Sequence, residues 1–301
     1  MYQAKRNGGG MHQVLDLRSS SELVADTGRR RLADGAGPHR DLGADLAVQD
    51  LHLEYQPIVR TADGGLVGVE ALLRWTHPQR GAVPALTAVG LAEQNGTIAE
   101  IGAWALRRSL LDLQQWLAVA PDHPLTVSVN VSVLQLMGHG FCDTVVEALA
   151  STSLDPAALV LEVTEGIFIQ DSGRAAAVLS ELRASGVQLA LDDFGSGYCS
   201  LGYLRRLPVD IVKIDQTFIA DLGHDLVSTA IVEAVQRLAG VLGLRVIAEG
   251  VEDQEQHEQI VGIGCEFAQG FLYGRPLPAS GVADLLTARE VQHLPRRAGL
   301  H

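Results

Sequence analysis

Residues 210–250 read DIVKIDQTFIADLGHDLVSTAIVEAVQRLAGVLGLRVIAEG. Two short β-rich runs, DIVKID and LRVIAEG, bracket a longer stretch in which Val227, Ala230, Ile231, Ala234, Val235, Leu238, Val241 and Leu242 recur at three-and-four spacing. This periodicity predicts a helix, and Gly243 sits where a helix stop belongs. Strand, crossover helix and second strand make one parallel βαβ unit.

Outward from that unit the alternation continues. LEYQPIV (53–59), VGVEALLRW (67–75), LTVSVNVS (125–132), LVLEVTE (159–165) and VQLALDD (187–193) precede it, and CEFAQGF (265–271) follows. Eight candidate strands, mostly separated by helical patterns, predict an α/β fold and suit a (β/α)8 TIM-type barrel better than an open sheet. Only RTADGGL separates the first two. A parallel crossover needs about a dozen residues, so they are expected to form a hairpin, with one strand antiparallel.

The chain has 301 residues, 47% of them hydrophobic, enough for a full core in one large domain with appendages. No apolar stretch reaches the roughly 18 residues of a bilayer span, and no secretory leader is recognisable, so no membrane contact is expected. Cys142, Cys199 and Cys265 are odd in number and lack paired spacing, which fits a reducing, cytoplasmic setting. The ten histidines are scattered, and His77 reads as a loop residue rather than a ligand. The formal charge is −13, with residues 1–36 slightly basic and the body beyond them at −15, which argues against nucleic-acid binding. Residues 17–36, LRSSSELVADTGRRRLADGA, read as a linker or a mobile helix; RDLGADLAVQDLHLEY from Arg40 reads as a short entry helix running into the first strand.

The polar residues at the strand ends are Gln56, Glu70, Asn130, Glu162 with Glu165, Asp192 with Asp193, Lys213 with Asp215, Glu249 with Glu252, and Gln269. In a parallel barrel such ends share one face, where barrel enzymes carry their chemistry. An acidic set with one amide, one lysine and no imidazole or thiolate is a hard-oxygen donor set, suited to Mg²⁺ or Mn²⁺. Each piece has a bland reading. DDFGSG alone could be a turn, Glu70 or Glu162 an interior ion pair with Lys213, and Asn130 a cap for a helix starting near Val133. Unpaired buried acids are costly, which disfavours the bland reading for all of them together.

These motifs resemble the EAL-domain family of cyclic diguanylate (cyclic di-GMP) phosphodiesterases: YQPIV (55–59), EALLRW (70–75), SVNVS (128–132), LEVTE (161–165), LDDFGSGY (191–198), VKID (212–215), VIAEGVE (246–252) and CEFAQGF (265–271). The resemblance covers about Arg40 to Thr287, within a domain placed at 37–290, followed by a tail at 291–301. It implies a barrel with one reversed strand and two Mg²⁺ or Mn²⁺ ions. The metal residues are Glu70, Asn130, Glu162, Asp192 and Asp193, and Ca²⁺ is expected to inhibit. Lys213 and Glu249 match positions that hold or deprotonate the attacking water, with Glu70 and Gln269 completing the catalytic set. Gln56, Arg74 and Asp215 match substrate contacts, and Glu165 and Glu252 loop anchors. The implied reaction is in-line attack of water on one phosphodiester, giving linear 5′-pGpG; a degenerate member would act as a cyclic di-GMP receptor instead, but no acid of the set is missing here. A homodimer through the loop after VQLALDD is a further expectation.

Departures from the family pattern are AVGLAE (88–93), where relatives commonly have FIPLAE, together with Ser196, Cys199, Gly202 and Gly274. MYQAKRNGGGMHQVLD (1–16) resembles the end of a GGDEF diguanylate-cyclase domain. It implies upstream GGDEF and sensor domains in a longer parent chain, which could be membrane-anchored.

Overall fold

A computed structural model describes residue 46 and residues 48–167, 172–195, 204–205 and 207–287. The GGDEF-like stretch, the linker, the start of the entry helix, most of the loop after VQLALDD and the tail lie outside the described residues. Of the entry helix, Val48–Asp50 form one 3-10 turn.

The strands are β1 (Leu51–Arg60), β2 (Leu66–His77), β3 (Gly81–Val83), β4 (Thr126–Asn130), β5 (Leu159–Thr164), β6 (Gln188–Phe194), β7 (Ile211–Ile214), β8 (Arg245–Ala248) and β9 (Phe267–Gln269). The helices are α1 (Ala85–Asn95), α2 (Ile98–Val119), α3 (Val133–Leu136), α4 (Phe141–Thr152), α5 (Ser172–Ala184), α6 (Gln216–Ala220), α7 (Leu226–Leu242), α8 (Gln254–Ile263) and α9 (Ala279–Thr287). The sheet runs β1-β9-β8-β7-β6-β5-β4-β2 and closes through β1–β2, with β3 appended to β2. All eight expected strands are present in an eight-stranded closed barrel. β1 is antiparallel to both neighbours, as the short first connection requires. β3 was not foreseen, since three residues carry too little pattern to read.

The parallel strands are buried almost without interruption, as in Leu159–Val163, because helices cover their outer side. The unit at 210–250 forms as expected: β7 pairs with β8 from Ile211↔Arg245 to Ile214↔Ala248, Asp225 caps α7 by accepting the Ser228 N–H, and Gly243 ends it in the left-handed region at φ 71°. Ile231, Val235, Leu238 and Leu242 of the expected stripe face the core, and the fully buried face of α7 is turned only partly away from that stripe. That face is Ser228, Val232, Val235 and Ala239, while Val227 and Val241 are exposed. Val227, Ala230, Ala234 and Val241 widen the apolar pattern beyond the buried side, so spacing fixed the helix and only part of its buried face.

The seam is reinforced from outside. Leu277 exchanges backbone hydrogen bonds with Tyr55 at 2.7 and 2.9 Å, and Trp116 Nε1 donates to Ala279 O at 3.0 Å. Tyr55 is fully buried, packs edge-on against Trp116 and donates its hydroxyl to Asp112 at 2.5 Å, where Arg108 pairs with the same carboxylate.

Candidate functional site

The C-terminal ends of the parallel strands open on one pocket of about 290 Å³, whose wall includes Gln56, Glu70, Asp192, Asp193, Glu249 and Gln269. Two of these reach it differently from the strand-end expectation. Glu70 lies well inside β2; its parallel pairing with β4 stops at Ala71, and the strand then continues as an antiparallel arm with β1 and β3. Gln56 lies within the reversed strand and reaches the pocket because it stands opposite Glu70 in the register.

Asp192 and Asp193 are sequence neighbours, yet both line the pocket. In a regular strand they would face opposite sides. Here β6 shifts register between Leu191 and Phe194, and Asp193 takes φ 53°, a left-handed conformation that Asp tolerates better than most residues. The bulge turns two adjacent carboxylates toward the same space.

At the floor, fully buried Lys213 directs its Nζ at four carboxylates: Glu249 Oε1 at 2.7 Å, Glu162 Oε2 at 2.8 Å, Glu70 Oε2 at 3.1 Å and Asp192 Oδ1 at 3.2 Å. Gln269 Nε2 donates to Glu70 Oε2 at 2.7 Å and Gln56 Oε1 at 3.1 Å, and Asn130 Nδ2 donates to Glu70 Oε1 at 2.7 Å. The interior ion pair of Lys213 with Glu70 or Glu162 is therefore real, but it is one ammonium shared among four acids.

One cation does not satisfy this set. Burial, the Glu70 charge and Asp192 push Glu162 well above the usual carboxylate range despite Lys213. Burial raises Glu249 to about 8, and burial with the neighbouring Asp192 and Asp215 charges raises Asp193 to about 6. Burial also works against Glu70, but Lys213 and the amides of Gln269 and Asn130 outweigh it and hold this carboxyl below its ordinary value. Lys213 itself is desolvated, yet the carboxylates around it raise its pKa well above the lysine norm. One ammonium is too little positive charge to hold all these acids at ordinary carboxylate values.

The same residues fit divalent cations. Ligand oxygens of Asp192, Asp193 and Glu249 lie within 4.8 Å of one another, close enough for one ion. Glu162 Oε1 and Gln269 Oε1 are buried without a hydrogen-bond partner. An all-oxygen donor set with orphaned acceptors suits a hard cation such as Mg²⁺ or Mn²⁺.

The other expected residues are placed as follows. Glu165 Oε1 accepts the Gly195 N–H at 2.9 Å, at the start of the segment following β6. Glu252 lines the pocket, and its backbone N–H is bound by Gln256. Asp215 is not on the pocket wall; it caps α6, accepting from the Thr217 N–H at 2.7 Å and hydroxyl at 2.5 Å. Arg74 is also outside the pocket, four residues along β2 from Glu70, and pairs with Glu54 at 2.6 Å. Asn130 does not cap α3, because Ser132 does.

Gln216 and Phe271 line the pocket without having been singled out. Phe271 is 46% exposed, and the Arg275 guanidinium lies 4.2 Å from its ring centroid. An aromatic two positions past Gln269 with an arginine four beyond was the available signal. In AVGLAE, Ala88 is buried in α1, whereas a Cβ on Gly90 would meet nothing within 4 Å.

The EAL domain profile matches residues 39–276. The chain is 44% identical over 239 residues to the bifunctional diguanylate cyclase/cyclic di-GMP phosphodiesterase MucR of Pseudomonas aeruginosa, covering 79% of this chain and 35% of that protein. It is 39% identical over 255 residues to the cyclic di-GMP phosphodiesterase NbdA of the same organism, covering 85% and 32%. The solved structure of the PaMucR phosphodiesterase in complex with c-di-GMP superposes with a TM-score of 0.76 at 43% identity, covering 81% of this chain and 98% of that one. The chain spans about a third of the length of the curated relatives it matches.

Proposed function

The chain belongs to the EAL domain family, and from that premise we propose that it hydrolyses cyclic di-GMP to linear 5′-pGpG with two divalent cations, Mg²⁺ or Mn²⁺. The observation that carries this reading is the convergence of Glu70, Glu162, Asp192 and Glu249 on a single lysine, with Asn130 bonded to Glu70, Asp193 beside Asp192 and acceptor oxygens left unpaired. Glu70, Asn130, Glu162 and Asp192 would hold one ion, and Asp192 with Asp193 the other. When bound, the pair supplies charge stabilisation at the entering and leaving oxygens and acidifies a water.

The remaining groups position and move protons. Glu249, raised toward neutrality and 2.7 Å from Lys213, is suited to take the proton of the attacking water. Lys213 stays an ammonium and orients both that base and the ligand carboxylates. Gln269, fixed by Gln56 and Glu70, aims an unpaired oxygen at the same space. Gln56 would contact the substrate directly. Arg74, along the β2 arm, would reach the second phosphate with its fork of donors once released from Glu54.

The wider reading is also proposed: residues 1–16 as the end of an upstream GGDEF domain, residues 17–36 as linker, and a homodimer through the segment after β6. The bifunctional name of MucR and the length of the relatives support the first point. No helix among the described residues is long and apolar enough to cross a membrane. The free thiols of Cys142 and Cys265 are in keeping with a cytoplasmic setting.

The test is incubation with cyclic di-GMP and Mg²⁺ or Mn²⁺, repeated with EDTA and with Glu70→Ala. Metal-dependent pGpG formation that the substitution abolishes supports the reading. Tight binding of cyclic di-GMP with no product under any metal overturns it in favour of a receptor.

A further inference from the structure

The entries of β6, β7 and β8, on the face opposite the acidic cluster, surround a second cavity of about 480 Å³. Its wall carries three guanidinium groups, Arg183, Arg205 and Arg245, against one carboxylate, Asp210. Asp210 is already committed: Oδ1 accepts from Arg183 at 2.9 and 3.0 Å, and Oδ2 accepts the Leu189 N–H at 3.0 Å. Arg245 donates to Gln188 Oε1 and is half-desolvated, a burial that Asp210 and Glu266 offset only in part. Arg205 is exposed and has no ion pair with another described residue. The wall thus has an excess of two positive charges in a chain of formal charge −13.

We propose that this cavity binds a small phosphorylated ligand, a phosphate monoester whose dianion is held by the forks of Arg183, Arg205 and Arg245. The excess of two charges matches a dianion, and three guanidinium forks on one wall offer more donors than a carboxylate can accept. The acidic body repels extended polyanions and anionic lipid surfaces, so a compact ligand fits better than a nucleic acid or a membrane. The three strands that open on this cavity lead to Asp192 and Asp193, to Lys213 and to Glu249. A ligand there would stiffen the scaffold of the acidic cluster from behind. Binding at this face is independent of the phosphodiesterase reading.

The experiment is an amide ¹H–¹⁵N titration of the whole chain with inorganic phosphate in EDTA, at constant ionic strength set with chloride. Without metal the acidic pocket rejects anions, so the two faces are separated. Saturable shifts are expected at Gly186, Gln188, Gly243 and Arg245. Affinity should fall about tenfold in Arg205→Glu, whose side chain is exposed, and in Arg183→Gln, which frees Asp210 to compete. Shifts that do not saturate, that map to the acidic pocket, or that persist unchanged in both variants overturn the proposal.

Discussion

Lys213 Nζ lies 2.8 Å from Glu162 Oε2, with the two side chains only 1% and 0% exposed. Neither group has water to fall back on. Lys213→Met should therefore abolish turnover and also destabilise the metal-free fold by about 3–5 kcal/mol, as removal of one partner of a buried pair does. Denaturant melts in EDTA measure this; unchanged stability would mean that the lysine is not the counter-charge of the cluster.

Glu70 receives Lys213, Gln269 and Asn130 together. Glu70→Ala is expected to lower kcat by about a hundredfold or more and to weaken Mn²⁺ binding, since even groups that only support metal ligands cost about 10–100-fold. Replacing Mg²⁺ by Ca²⁺ should suppress product, because longer, looser coordination holds the water poorly. Full activity in Ca²⁺ alone would contradict the assignment.

Metal affinity should depend steeply on pH. In the metal-free protein Asp193 titrates near 6 and Glu249 near 8, both above ordinary carboxylates. The folded state therefore holds protons that the unfolded chain has lost. The contribution of these groups to metal-free stability falls as pH rises through that window, while metal affinity rises as the protons leave. Mn²⁺ calorimetry in two buffers of different ionisation heat should register proton release between about pH 6 and 8. Binding without proton release would refute the linkage.

Asp193→Asn should separate charge from geometry. Asn accepts the left-handed backbone at φ 53°, so the bulge survives while one carboxylate is lost. Activity should drop with the melting temperature unchanged or slightly higher. A collapse of stability instead would show that the carboxylate, not the backbone, holds the bulge.

Two glycines should behave oppositely. A Cβ on Gly270 would lie 2.1 Å from Val251 O, so Gly270→Ala should cost about 1–3 kcal/mol and displace Gln269. Gly90 is inside α1 with open space around it, so Gly90→Ala should stabilise by about 0.5–1 kcal/mol at unchanged activity. Thermal melts of the two variants shifting in the same direction would count against this reading.

The strands and most acids were legible because parallel barrel strands are apolar runs that end abruptly in polar residues, as LVLEVT does at Thr164 and Glu165. The reversed β1 was legible from the length of one connection. What spacing could not supply was orientation. The joint access of Asp192 and Asp193 depends on a bulge and a positive φ, the full extent of the buried face of α7 on which side meets the sheet, and the capping role of Asp215 on the helix that starts one residue later. Arg74 likewise reads as a free cation until the cross-strand neighbour Glu54 is seen.

The closing seam also sets an order of events during synthesis. β1 meets its last partner only through Ile58↔Gln269, Val59↔Ala268 and Arg60↔Phe267, and Gln56 and Gln269, which bond across it, are 213 positions apart. A nascent chain must therefore wait with two unpaired edges until its final strand leaves the ribosome. Because Gln269 also anchors Glu70, the proposed active site is completed last and all at once, so the proposed phosphodiesterase activity would serve as a reporter of ring closure in refolding kinetics.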